Sequence, residues 1–230
     1  SRRRTVTKPS VRSKGGIVVA QNRIAAEVGA RVLKAGGHAV DAAVATAFTL
    51  GVVEPWMSGI GGGGVMLVRD GKTGKVTGLD FGAVSPRGLD PKDYPVVGGT
   101  DGNLFGWSQV KDNRNTTGPR AVVTPSEPLG LATAHKMWGR KRWKDLVAPA
   151  IKHAEEGIVV DWHTMTNITS ALADLQMDPG TAKRFLRGGL PPMAPANLSA
   201  KSVPTVGHER AAMALHRPSR PINQPANISG

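Results

Sequence analysis

Apolar residues along the chain change period several times, and each change marks an element. Ile17 to Ala20 is a short apolar run of the kind that opens a sheet. From Asn22 onward, Ile24, Val28 and Val32, with Ala25 and Leu33 beside them, recur at helical spacing. Asn22 is suited to cap that helix, and Gly36-Gly37 to end it. A second helix is predicted from about His38 through Asp41, Ala42, Ala43, Val44, Ala47, Phe48 and Leu50, stopped by Glu54-Pro55. It is apolar on nearly every face, so it belongs in a core, and Asp41 sits in its first turn, where the helix dipole favours an acid. After the glycine run Gly59-Ile60-Gly61-Gly62-Gly63-Gly64, the runs Val65–Val68 and Val76–Leu79 flank Asp70-Gly71-Lys72-Thr73-Gly74 and predict a β-hairpin.

Residues 82–120, with Pro86, Pro91, Pro95 and several glycines, read as loop. Helices are predicted again from Leu129 to Trp138, from Trp143 through Glu155 with Pro149 as a kink or restart, and from Trp162 to Leu175. Beyond Pro192 the periodicity stops. The expected organisation is therefore a basic disordered arm over 1–14, one folded region over 15–192, and a Pro-, Ala- and Arg-rich tail of low order over 193–230.

Composition narrows this picture. With 29 Gly and 17 Pro the chain favours a turn-rich α/β fold over a helical bundle. The absence of Cys excludes disulfides and thiolate metal sites. No run of eighteen apolar residues is present, so no membrane-spanning helix is expected. The net charge of +13 invites a nucleic-acid reading, but its location argues otherwise. Residues 1–14 carry six basic residues and no acid, residues 183–230 carry seven against Glu209, and the stretch between them holds 17 basic and 16 acidic residues. The basicity lies in the ends, and no nucleic-acid partner is expected. The internal cluster Lys136, Arg140, Lys141, Arg142 and Lys144 reads as an exposed helix end with its following loop.

Candidate chemistry is sparse. Gly59, Gly61 and Gly64 fit the dinucleotide pattern, but that pattern needs a strand before and a helix after, and here the order is reversed. The glycines are better read as places of close backbone approach. His38, His135, His153, His163, His208 and His216 show no metal-ligand spacing, so neither metal nor cofactor is expected. No nucleophile elbow occurs. Asp41 and Asp80 are available carboxylates, at positions where acids usually serve structure.

One block is more specific. Gly36-Gly37-His38-Ala39-Val40-Asp41-Ala42-Ala43-Val44-Ala45 is followed by Val53-Glu54-Pro55 and Ser58-Gly59-Ile60-Gly61-Gly62-Gly63-Gly64. This resembles the N-terminal region of the gamma-glutamyltranspeptidase family, and the likeness continues through Leu79-Asp80, Gly130-Leu131-Ala132, Leu146–Ile151 and Ala154-Glu155-Glu156-Gly157, covering about residues 15 to 192. The resemblance implies the large-chain part of a four-layer αββα sandwich of N-terminal-nucleophile hydrolases. It implies a precursor that cuts itself in two, with a Thr heading the small chain. That Thr attacks an amide or gamma-glutamyl carbonyl, its own α-amine serves as base, and the acyl-enzyme passes to water or an amino acid.

Departures from the family pattern qualify these expectations. Thr116-Thr117 is followed by Gly118-Pro119 and lies inside the large-chain region, so the nucleophile's role is not carried onto it and no catalytic residue is expected in this chain. Where typical members have Arg and Glu after the strand end, this chain has Gly82 and Ala83. Gly82 thus stands at the position of the Arg that binds the substrate α-carboxylate, and glycine offers no charged fork. An amide without that carboxylate, or one held by another group such as Arg87, becomes the expected substrate in place of glutathione. His38 replaces the usual Asn, and Ser126 stands where Gly usually follows Pro125. The change of composition after Pro192 is expected to mark a truncated or frame-shifted reading of the gene.

The expected partner is the small chain of the same precursor. Without it the chain is expected to be inactive and poorly soluble. A non-catalytic remnant that only binds a partner is the alternative. The resemblance points to periplasm or secretion, whereas no apolar segment follows Arg2-Arg3-Arg4, which leaves a removed signal, a fragment or a cytoplasmic chain open.

Overall fold

The computed structural model describes residues 10–102, 105–193 and 196–198. Most of the predicted basic arm and of the predicted tail lie outside the described residues. The helical repeat after Asn22 forms α1 (Arg23–Lys34), with the Asn22 side chain accepting the Ile24 N–H at 2.9 Å. At its other end the Gly36 and Gly37 N–H groups bond to the Leu33 and Val32 carbonyls, both at 2.9 Å. The second repeat forms α2 (Ala39–Val53). His38 caps it: its Nδ1 accepts the Val40 N–H, and its own N–H donates to Asp41 Oδ2 at 2.7 Å. The even spread of apolar residues has the expected consequence, because nine residues of α2 are buried.

The chain divides into two units, one running to His153 and one from Ala154. In the first, α1 packs on α2. The hairpin forms as predicted, with β1 (Gly64–Arg69) antiparallel to β2 (Val76–Phe81) and Gly64 opposite Phe81. Asp70 builds its turn by accepting the Lys72 and Thr73 N–H groups and the Thr73 hydroxyl on one oxygen. α3 (Glu127–Trp138) lies against α2 and β2, and α4 (Trp143–Glu156) follows, burying Leu146, Val147 and Ala150. Pro149 neither breaks nor restarts α4, which continues through it.

The region read as loop contains a second hairpin, β3 (Val96–Thr100) with β4 (Ser108–Val110), and three short 3-10 turns. All of β3 is exposed, so no buried face marked it in the sequence. The strand expected over Ile17–Ala20 does not form. That segment has no ladder partner among the described residues, and its backbone alone cannot make a strand.

In the second unit β5 (Ile158–Val160) pairs antiparallel with β6 (Ala196–Leu198), inside the stretch expected to lack order from 193. The helix expected from Trp162 to Leu175 is two helices, α5 (Trp162–Ser170) and α6 (Leu172–Met177), interrupted at Ala171, and α7 (Pro179–Phe185) follows. Val160, Ile168 and Leu186 form their core. The strands described are three two-stranded antiparallel ladders amid helices, a mixed α/β architecture.

Asp41 is fully buried, and its carboxylate accepts the N–H groups of Arg140 (3.0 and 3.1 Å) and Lys141 (3.3 Å) as well as that of His38. Removing it leaves three backbone donors without an acceptor. Asp41→Ala is expected to lower the unfolding free energy by about 3 kcal/mol or more. Asp145→Ala, which breaks an exposed pair with Arg142, is expected to leave it nearly unchanged. Urea unfolding followed by tryptophan fluorescence measures both, since Trp143 packs edge-on against Phe48 at 5.4 Å.

Candidate functional site

The glycine run lies where α2, β1, β2 and α3 converge. After Glu54 ends α2, the Met57 and Ser58 N–H groups return to its carbonyl, and the loop turns at Gly59, whose carbonyl accepts the Gly62 N–H at 3.0 Å. The Gly62 carbonyl then receives the N–H groups of Ser126 and Glu127 at 2.9 and 3.0 Å. These are donors that the first turn of α3 cannot satisfy within its own helix. The Ser126 hydroxyl donates to the Phe81 carbonyl at 2.5 Å.

Close approach is the reason for glycine here. A Cβ on Gly63 would stand 2.5 Å from the Ala83 nitrogen and 2.6 Å from the Phe81 carbonyl oxygen, against backbone that cannot move aside. A Cβ on Gly130 would collide with the Phe81 ring, so α3 rests directly on that aromatic face. The literal dinucleotide spacing is thus a packing device, with α2 before it and β1 after it.

Beside the loop lies an open groove of about 800 Å³. Its walls include Trp56, Met57, Met66, Phe81 and Leu131, its rim is the glycine backbone, and Glu127 contributes a carboxyl. Glu127 is half-buried, with its Oε2 close to Gly62 of the loop. Burial pushes its pKa from 4.5 up to about 7, and the Gly59 backbone opposes part of that rise. An apolar trough with one titrating carboxyl and a row of accessible glycine backbone is suited to hold an acyl or peptide-like group.

Gly82 follows directly on β2, exposed, with its N–H on Asp80 Oδ1 at 2.9 Å. A Cβ there would come 3.2 Å from that same oxygen, tight but facing a side chain that can turn away. Asp80 itself is exposed and Asp41 is wholly buried in backbone hydrogen bonds, so the two carboxylates are not brought together. Arg87 is exposed in the turn closed by the Leu89 N–H and the Pro86 carbonyl. Thr116 and Thr117 cap a turn by bonding to the Asn113 carbonyl.

Two of the histidines, His38 and His135, serve structure. His38 caps α2, and His135 Nε2 lies 2.7 Å from the Lys141 carbonyl, which requires that nitrogen to carry the proton. No group of three or more His, Asp or Glu suited to a metal occurs among the described residues, and no helix among them is long and apolar enough to cross a membrane. His208 and His216 lie outside them. The basic cluster is a helix end and loop, as expected: Lys136, Arg140, Arg142 and Lys144 are exposed, while Lys141 Nζ donates to the Ala35 carbonyl.

Glu127 was not legible as a site residue. An acid in the first turn of a helix is commonplace, and the glycine loop it reaches lies far earlier in the chain. Ser126 carried a weak signal as a departure from Gly after Pro125.

The gamma-glutamyltranspeptidase family matches over residues 25–202, ten residues past the boundary drawn at 192. The glutathione hydrolase proenzyme of Bacillus subtilis is 39% identical over 163 residues, covering 71% of this chain and 26% of the relative. An acylase proenzyme of a Pseudomonas species (ACY 1) is 36% identical over 186 residues, covering 80% of this chain and 32% of the relative. Among solved structures, Helicobacter pylori gamma-glutamyltranspeptidase superposes with a TM-score of 0.74 at 27% identity, over 84% of this chain and 53% of that one. The chain spans about a quarter to a third of the length of these two curated relatives.

Glu127 also makes stability depend on pH in a definite direction. Its folded pKa is raised, so the folded chain holds the proton more tightly than the unfolded chain. The contribution is fully present below pH 4.5 and is lost as pH rises through about 7. Glu127→Gln, which does not titrate, is expected to flatten the fall of the urea midpoint over that window, with the wild-type and variant curves parallel above about pH 8.

Proposed function

The chain belongs to the gamma-glutamyltranspeptidase family, and from that premise we propose that it is the large-chain portion of an amidohydrolase or acyltransferase whose nucleophile is supplied by a small chain. The observation that carries this reading is the family match, which runs unbroken through both units and takes in the glycine loop, the hairpin and α3. In this reading the small-chain Thr hydroxyl adds to the substrate carbonyl and its α-amine takes the proton. The C–N bond then breaks, the amine leaves protonated, and water or an amino acid receives the acyl group. The large chain holds the substrate beside the end of β2.

The hairpin supports a missing partner. On one face of β1 and β2, Val65 (69% exposed), Leu67 (73%) and Val76 (57%) stand in a row without cover, while Met66, Val68, Leu79 and Phe81 on the other face turn inward. An apolar sheet face left to water is unfavourable by roughly 1 to 2 kcal/mol for each large side chain that a second sheet would bury. A small-chain sheet laid on this face would complete the four-layer sandwich.

Substrate choice follows from Gly82. The guanidinium that other members place there is absent, so a substrate α-carboxylate has no bidentate partner at that position. This favours an amide whose acyl part lacks the α-carboxylate, and one of the similar proteins is named as an acylase. The same loss leaves one other reading, a chain that binds a partner without catalysis.

Release of a coloured aniline from gamma-glutamyl and simple acyl anilides decides between them. The chain alone is expected to give no turnover. Folded together with a Thr-headed small chain, it is expected to cleave the acyl anilide, and Gly82→Arg is expected to move preference towards the gamma-glutamyl anilide by about tenfold or more. Turnover by the chain alone would place the nucleophile within it. A folded complex without turnover would leave only partner binding.

A further inference from the structure

Ser126 and Glu127 open α3, but neither side chain behaves as an ordinary helix start. A Ser at the N-cap normally accepts an N–H from its own first turn. Ser126 makes no such bond, and its hydroxyl reaches 45 residues back to the Phe81 carbonyl. An acid in the first turn normally faces its own free N–H groups. The Glu127 carboxyl instead reaches the glycine loop, its Oε2 standing 4.0 Å from where a Cβ on Gly62 would be. The two backbone N–H groups of the pair both go to the Gly62 carbonyl.

Two consecutive residues thus hold the turn of the glycine loop and the last residue of β2. Nothing at this junction has room to drift, since a Cβ on Gly63 would also lie 2.7 Å from Ser126 Oγ. Phe81, whose carbonyl Ser126 grips, is the residue before Gly82.

From this convergence we infer that Ser126 and Glu127 are positioning residues, which fix the glycine loop and the end of β2 in one register and thereby set the place of residue 82 against a bound acyl group. The geometric part concerns this chain alone. The consequence for substrate rests on the function proposed above.

Hydrogen exchange read by mass spectrometry on the full chain tests the geometric part without any need for turnover. Glu127→Ala is expected to speed exchange across residues 58–64 by about fivefold or more, because the loop loses the side chain that shields it. Glu127→Gln is expected to restore protection, because its side chain fills the same place over the loop. Ser126→Ala is expected to loosen residues 80–84, with α2 protection unchanged as the control for folding. Unchanged exchange in Ser126→Ala and Glu127→Ala, or no restoration by Gln, overturns the proposal. Should Glu127→Ala open α2 as well, Ser126→Ala and Glu127→Gln decide it, as both nearly keep the native side-chain shape.

In the enzyme completed with a Thr-headed small chain, Glu127→Ala is expected to raise KM by about tenfold with kcat within about twofold, and Gln to rescue KM. An equal fall in kcat with KM unchanged would overturn the positioning role. Absence of turnover in the unsubstituted complex would defeat the proposed function, while the exchange result would still decide this inference.

Discussion

A carboxylate with no exposed surface sits where α2 begins and where the chain passes from α3 to α4. Asp41 takes the N–H of His38 at the head of its own helix and those of Arg140 and Lys141 from a loop 99 and 100 residues away. A buried acid is tolerated only where donors replace the water it gave up, and here three backbone donors do so. Those donors include N–H groups that the loop would otherwise bury or leave to water. The bonds therefore satisfy both partners, and they fix where α3 ends relative to where α2 starts.

The same two helices are tied at their other ends. α2 runs out into the glycine loop, and the loop is held by Ser126 and Glu127, the cap and first residue of α3. α2 and α3 are thus joined head to tail at both extremities, with Leu131 and Ala134 buried along the contact side. β2 enters this frame through Phe81, whose ring lies on Gly130 and whose carbonyl takes the Ser126 hydroxyl. A shift of α3 would move the strand end with it, because neither Gly130 nor Gly63 has space to absorb the motion. The position of residue 82 is consequently a property of the helix pair more than of the hairpin that carries it.

What was legible in the sequence was local. The Asn22 cap, the all-round apolar character of α2 and the Asp70 turn each depend on residues a few positions apart, and each forms as read. Elements without a local signal were missed. β3 is exposed along its whole length and contains Gly98-Gly99, while β5 and β6 have three residues each, too short for alternation to show. Ile17–Ala20 had the composition of a strand and has no ladder partner among the described residues. Pro149 removes one hydrogen bond from α4, which keeps its course while Leu146, Val147 and Ala150 stay buried around it. The site followed the same rule. The glycine run could be read as close approach, but what approaches it, Phe81 and Ser126, is set by contacts across 45 to 64 residues.

The departures at positions 82 and 126 belong to one structural argument. Gly82 removes a side chain from the end of β2, and Ser126 adds a hydroxyl where relatives with Gly would have none, directed at the carbonyl one residue earlier. A strand end that carries an Arg held by a substrate carboxylate is anchored in part by its ligand. A strand end that carries Gly is not, and its conformational freedom is larger. The extra hydroxyl gives the backbone there a fixed donor that does not depend on what is bound. A preorganised strand end suits a ligand recognised by shape and apolar contact in the groove more than one recognised by charge. Under the function proposed above, the loss of one group and the gain of the other would both favour an acyl portion without an α-carboxylate.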